Sequence, residues 1–329
     1  MLGAATPALA LSVSRAGGIG FVAGNTKSNA LEKSLSEVAI LLKANESPFK
    51  YPPNTLPIGV GFQNWNCDLN VASLAIEKHV PAIAWLFAPV HTEGFRTWSK
   101  ELRTASKNRT QIWIQVGSVR EAIEAAQLAE PDVLVVQGTD AGGHGLARSA
   151  SIVSLVPETR DALSAIDASH IPVLAAGGIV EGRGAAAALA LGAKGVVMGT
   201  RFLAATEAGI PQGWQKEILR AADGGVSTTR STLCDRLKET RGWPAWYDGR
   251  MILNQGNADE KAGMSDEDHV KLYKQELKRG DDAWGPEGRM VAYAGTGAGL
   301  VREVKPAGEI VKEVIANCNK ALGNVTSKL

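Results

Sequence analysis

The feature that most constrains this chain is a regular alternation of short, almost uninterrupted apolar runs with stretches long enough for a helix. The runs are IGFVAG (19–24), LPIGVGF (56–62), PAIAWLF (81–87), QIWIQV (111–116), DVLVVQG (132–138), IPVLAAGG (171–178) and KGVVMGT (194–200). A strand that is apolar throughout, rather than at every second residue, is covered on both faces. Between the runs lie amphipathic or Ala-rich stretches such as SVREAIEAAQLAE (118–130) and GRGAAAALALGA (182–193). Their spacing is that of βα units, roughly 20–40 residues. Right-handed crossovers then make a parallel sheet wrapped in helices the economical α/β arrangement. Periodicity alone admits either a TIM (β/α)8 barrel or an open doubly wound sheet. The runs number seven, and a helix-like segment, PALALSVSRA (7–16), precedes the first of them. A barrel lacking its first strand would give this count.

From about residue 212 the pattern changes to longer polar helices and an aromatic, loop-rich segment, RGWPAWYDGRMILN (241–254). It reads as a C-terminal helical appendix that covers one face. Neither a linker nor an internal repeat separates it from what precedes it. The length of 329 residues, 45% hydrophobic and 21% charged, is that of an ordinary globular chain with a large core. A formal net charge of +1 with scattered Lys and Arg leaves no basic stripe, so no nucleic-acid partner is expected. Cys67, Cys234 and Cys318 are odd in number and widely spaced, which suggests neither a disulfide framework nor a metal site. With no long apolar span and no basic leader, a cytoplasmic location away from membranes is expected.

In parallel α/β folds functional groups gather at the carboxyl ends of strands. Here those ends are glycine-rich: Gly177-Gly178 follows one run, and Gly199-Thr200 the next. Bare backbone lets N–H groups approach an anion, so two such turns on successive strands suggest a phosphate site. The alternative is that the glycines only make tight turns. AGTGAGL (294–300) is a weak dinucleotide signal, because no acidic residue follows at the expected spacing.

The run VLVV is followed by QGTDAGGHG (137–145), which places His144 in a loop of glycines. A neutral imidazole there is a candidate base for removing a proton from activated carbon, with Asp140 as a possible partner. The bland alternative is a turn histidine bonded to backbone. His91 is the second candidate base, while His79, His170 and His269 read as surface positions. Gln115 and Gln137 are polar residues ending apolar strands. Either loop backbone satisfies their amides, or they bond the polar edge of a planar ligand.

These elements together carry a family resemblance. QVGSVREAIEAA, VVQGTDAGGHG, IPVLAAGGIVEGRGAAAALALGAKGVVMGTRFLAATEAG and GRMVAYAGTGAGLVREVKPAGEIV resemble the nitronate monooxygenases, formerly 2-nitropropane dioxygenases, from near residue 1 to about 315. The resemblance implies an FMN-dependent oxidoreductase on a TIM barrel, with 1–211 binding flavin and 212–329 completing and covering the barrel. It implies His144 as catalytic base and FMN-phosphate contacts at Gly177, Gly178, Gly199 and Thr200. It also implies backbone contacts near the flavin at Gly142 and Gly143, a ring-edge contact at Gln115, and a further contact at Gln137. No metal is implied. The implied reaction oxidises alkyl nitronates, and possible nitroalkane substrates, with O2 to carbonyl compounds and nitrite. Relatives begin with a strand ending in Pro-Met, onto which Met1-Leu2-Gly3 aligns only in part, so strand one is expected to be missing. Two alternatives stay open: a flavin-dependent enoyl-acyl carrier protein reductase, and a degenerate, non-catalytic flavoprotein with weakened FMN binding. Trp243, Trp246 and Tyr247 read either as core and cap residues or as pocket lining. The sequence assigns no oligomeric state.

Overall fold

The computed structural model describes residues 3–24, 28–43 and 54–326; Met1 and Leu2, on which the terminal alignment turned, lie outside the described residues. In chain order the described strands are β1 (Phe21–Ala23), β2 (Leu56–Gln63), β3 (Pro81–Phe87), β4 (Gln111–Val116) and β5 (Val133–Gln137). There follow β6 (Gly143–Leu146), β7 (Val173–Ala176), β8 (Gly195–Val197), β9 (Thr228–Ser231) and β10 (Tyr247–Ile252). All seven apolar runs become parallel strands of one sheet, in the order β1-β2-β3-β4-β5-β7-β8. Sequential order with a helix after each strand is the topology of a TIM barrel. The barrel is incomplete. Among the described residues β1 pairs only with β2, and β8 only with β7.

The strands read apolar throughout because both faces are covered. One face packs on the surrounding helices, with Ile58, Val60, Leu86, Ile112, Ile114 and Leu134 among the fully buried side chains. The other face fills the barrel interior, where Phe21 meets Trp85 edge-on at 5.2 Å and lies 5.6 Å from Trp113. Gly59 on β2 makes room for this cluster, since a Cβ there would sit 2.1 Å from the Phe21 ring. Helix Val119–Ala129 is capped at its start. The hydroxyl of Ser118 accepts from the Glu121 N–H at 3.2 Å, while the Glu121 carboxylate accepts from the Gly117 N–H at 2.7 Å.

Where the sheet stays open, helices close the outer layer. Helix Ala307–Thr326 packs on helix Gly182–Ala190 and on helix Pro7–Arg15, linking the last crossover helix to the first helix. Leu9, Ala205, Ala307, Ile310 and Val311 form the buried seam. No described helix is long and apolar enough to cross a membrane. The C-terminal region also holds strands that its composition concealed. β9 and β10 join β6 in an antiparallel sheet of order β6-β10-β9, so the loop after β5 is paired to a strand about a hundred residues later.

Candidate active site

The glycine loop after β5 is bare because other backbone lies against it. A Cβ on Gly142 would come within 2.3 Å of the Ala294 carbonyl carbon and the Gly295 nitrogen, and one on Gly145 within 2.5 Å of the Gln137 amide oxygen. Gly143 differs: its φ is +70°, and a Cβ there would meet nothing within 4 Å. The loop is pinned by long side chains from the small sheet. Arg250 donates to the Thr139 carbonyl at 3.1 and 3.2 Å, and Arg230 donates to the Gly145 carbonyl at 3.0 Å. From β5 itself, the Gln137 amide donates to the His144 carbonyl at 3.2 Å.

Within this frame His144 stands on β6 opposite Gly249 of β10. Its partner is Asp235. The Nε2 atom lies 2.9 Å and 3.1 Å from the two carboxylate oxygens, both side chains being 12% exposed. Asp140, the partner suggested by sequence proximity, instead accepts from the Thr296 hydroxyl at 3.3 Å and, through its carbonyl, from the Thr296 N–H at 3.0 Å. Four residues along an irregular loop do not bring two side chains together, whereas β-pairing reaches across the sequence. Trp243 lies flat on the imidazole, with centroids 3.9 Å apart and planes within 3°, and Tyr293 flanks it at 5.6 Å. Trp243 in turn contacts Trp65 at 4.9 Å and Phe87 at 6.1 Å. Tyr247 is buried against Phe87 while Trp246 is half exposed.

Cys234 completes the cluster: its Sγ, the His144 nitrogen and the Asp235 carboxylate lie within 4.8 Å of one another. Burial, with the Asp235 charge adding, pushes the Cys234 thiol up to about 11. Burial likewise raises the Tyr293 phenol, and the Lys238 ammonium sits 4.4 Å over its ring.

The two glycine turns stand side by side at the ends of β7 and β8. Gly177 and Gly178 adopt φ of +110° and +74°, which glycine tolerates and other residues resist. No hydrogen bond from the N–H groups of Gly177, Gly178, Gly199 or Thr200 is found among the described residues. Thr200 is buried, and its hydroxyl accepts from the Gly295 N–H at 3.0 Å. Gly297 presses on the Gly178 carbonyl, where a Cβ would approach to 2.7 Å. The AGTGAGL segment therefore serves as packing against both loops, a short 3-10 turn over Thr296–Leu300. Backbone donors left unsatisfied beside glycines fit a phosphate group.

The remaining candidates are dispersed. Gln115, buried at the end of β4, accepts from the Trp85 indole N–H at 3.1 Å. His91 and His170 are exposed, and His79 lies 3.0 Å from Glu32. His269 is a correction to its surface reading. It is 1% exposed on helix Asp266–Glu276, one turn before the buried Tyr273. Asp235 was missed because it does not lie near a glycine-rich strand end, whereas Trp243, read as a core or pocket-lining residue, stacks on His144. The one sequence clue was Gly249, where a Cβ would meet Cys234 Sγ at 2.7 Å and His144 Nε2 at 3.6 Å.

The chain is similar to known proteins along almost its whole length. The family model for nitronate monooxygenase matches residues 1–317. A nitronate monooxygenase of Metarhizium robertsii is 46% identical over 326 residues, covering 98% of this chain and 90% of the relative. One from Neurospora crassa is 38% identical, covering 93% of this chain and 84% of the relative. Among solved structures, a nitroalkane oxidase from Streptomyces ansochromogenes aligns with a TM-score of 0.75 at 23% identity, covering 98% of this chain and 95% of that one. FabK from Thermotoga maritima has the same TM-score, 0.75, at 24% identity, covering 100% and 94% respectively. These two likenesses show the fold alone.

Proposed function

Because the chain belongs to the nitronate monooxygenase family, a family of flavin-dependent oxidoreductases, we propose that it binds FMN and oxidises alkyl nitronates with O2 to carbonyl compounds and nitrite. In this reading Gly177, Gly178, Gly199 and Thr200 hold the cofactor phosphate through their free N–H groups. Gly142 and Gly143 let backbone approach the ring system, and Gln115 and Gln137 lie at its polar edge. The bound flavin supplies the electron chemistry, and the protein supplies orientation and a base.

The observation that carries the reading is the placement of His144. It is held on a strand rather than a free loop, one ring face is covered by Trp243, and one nitrogen is engaged by Asp235. No hydrogen bond from Nδ1 is found among the described residues, so that nitrogen is left to take a proton. Neutral nitroalkanes need that step, since carbon next to a nitro group must lose a proton before it is oxidised. Nitronates arrive already deprotonated. Residues 1–211 then form the flavin-binding barrel, and 212–329 cover it and bring in the groups around the imidazole. Small molecules and O2 are the only partners this requires, and three cysteines free of disulfides suit a cytoplasmic setting.

The test is flavin content and nitrite release by the purified protein. Bound FMN near one per chain, with nitrite formed from propionate 3-nitronate under O2, is expected. Flavin-bound protein that releases no nitrite but oxidises NADH with an enoyl thioester would favour an enoyl reductase. A colourless, inactive protein would favour a degenerate relative.

A further inference from the structure

We infer that Asp235 is a positioning residue that fixes His144 in the Nε2–H tautomer and so makes Nδ1 the basic nitrogen. The inference rests on the reading of His144 as the base and adds how its ring is set. A carboxylate accepts but does not donate, so two oxygens at 2.9 and 3.1 Å from Nε2 require the proton to reside there. The lone pair of the neutral ring is then on Nδ1. Both partners are 12% exposed, so water competes weakly for the pair.

Three further contacts hold the geometry. Trp243, parallel at 3.9 Å, limits how far the ring can tilt. The helix carrying the acid, Leu233–Leu237, sits close over β10 because Gly249 has no side chain: a Cβ there would be 2.7 Å from Cys234 Sγ. The neighbouring thiol, pushed up to about 11 by burial, stays neutral and does not compete as a second anion. The pairing spans 91 residues, which ties the C-terminal region to the chemistry of the barrel. The carboxylate also stabilises the imidazolium that forms when Nδ1 takes a proton, and the proton on Nε2 is shared and not transferred.

Two measurements test this. In the full-length protein with histidine 15N-labelled, long-range NMR correlations at a pH where the ring is neutral should show His144 protonated on Nε2 with Nδ1 bare. A proton on Nδ1 would overturn the inference with no variant needed. In Asp235→Asn the tautomer should shift, and nitrite release from neutral 3-nitropropionate should fall about 100-fold, the usual weight of a general base. Release from propionate 3-nitronate should change less than about fivefold over the same comparison. Asp235→Glu should restore part of the first rate, and flavin content should match wild type throughout. An unchanged tautomer and unchanged 3-nitropropionate rate in Asp235→Asn would refute the positioning role. If instead His144→Ala keeps full activity on 3-nitropropionate, the base assignment fails, while the NMR result still decides what Asp235 does to the ring.

Discussion

Within the cluster around His144, burial favours the neutral forms of the Cys234 thiol and the Tyr293 phenol. Cys234 is held as a neutral thiol, pushed up from 9.0 to about 11, chiefly by burial. In the unfolded chain that thiol ionises near its ordinary value. Because the folded thiol holds its proton more tightly than the unfolded one, its contribution to stability is fully present below pH 9 and is lost as pH rises towards 11. Urea unfolding should therefore show stability falling between pH 9 and pH 11 in wild type and falling less in Cys234→Ala. Alkylation of the folded protein at pH 8 should leave Cys234 unmodified. Gly178 tests the phosphate turn at the same scale. Its φ of +74° disfavours any side chain, and a Cβ would lie 3.1 Å from the Asp140 Cβ. Gly178→Ala should cost about 1–2 kcal/mol from the left-handed backbone alone. FMN affinity, measured by equilibrium dialysis, should fall with it. The sequence disclosed these residues unevenly. His144 and the glycine turns stand beside apolar runs, and a strand end is visible from composition. Asp235 was hidden because its only relation to His144 is spatial.

At the scale of elements, the glycine loop and the strand it becomes show why a local reading falls short. QGTDAGGHG reads as a turn, yet Gly143–Leu146 forms β6 because β10 offers it a partner, from Tyr247 opposite Leu146 to Arg250 opposite Gly143. A strand of four residues with three polar or glycine positions has no periodicity of its own, so only tertiary pairing defines it. The seven parallel strands, in contrast, are legible because each is a continuous apolar run. The pairing also predicts which glycines matter. Gly142→Ala would place a Cβ 2.3 Å from the Ala294–Gly295 backbone, which cannot rotate away as a side chain would. A loss of about 1–3 kcal/mol is expected, with nitrite release reduced because the loop must shift. Gly143→Ala meets no neighbour, so its cost should be confined to the strain of φ +70°. Comparing the two by urea unfolding separates close packing from backbone conformation.

At the scale of the molecule, the sheet ends at β1 and β8, and β8 is only partly buried along its length. The count of seven apolar runs anticipated this opening. How the outer layer closes was not legible, since the seam of Leu9, Ala205, Ala307, Ile310 and Val311 joins residues some three hundred positions apart. If helix Ala307–Thr326 holds the first and last helices together across that gap, the seam carries stability for the whole barrel. Ile310 is 1% exposed, and Ile310→Ala should cost about 2–5 kcal/mol in urea unfolding, as for other large buried aliphatics. The unfolding should remain a single transition. In the proposed reaction this barrel presents His144 as a base. Initial rates of nitrite release from 3-nitropropionate and from propionate 3-nitronate, compared in wild type and His144→Ala, check that role. A loss of about 100-fold or more on the neutral substrate, with a much smaller loss on the nitronate, is the predicted result. Equal effects on the two substrates, or full activity on 3-nitropropionate, would contradict it.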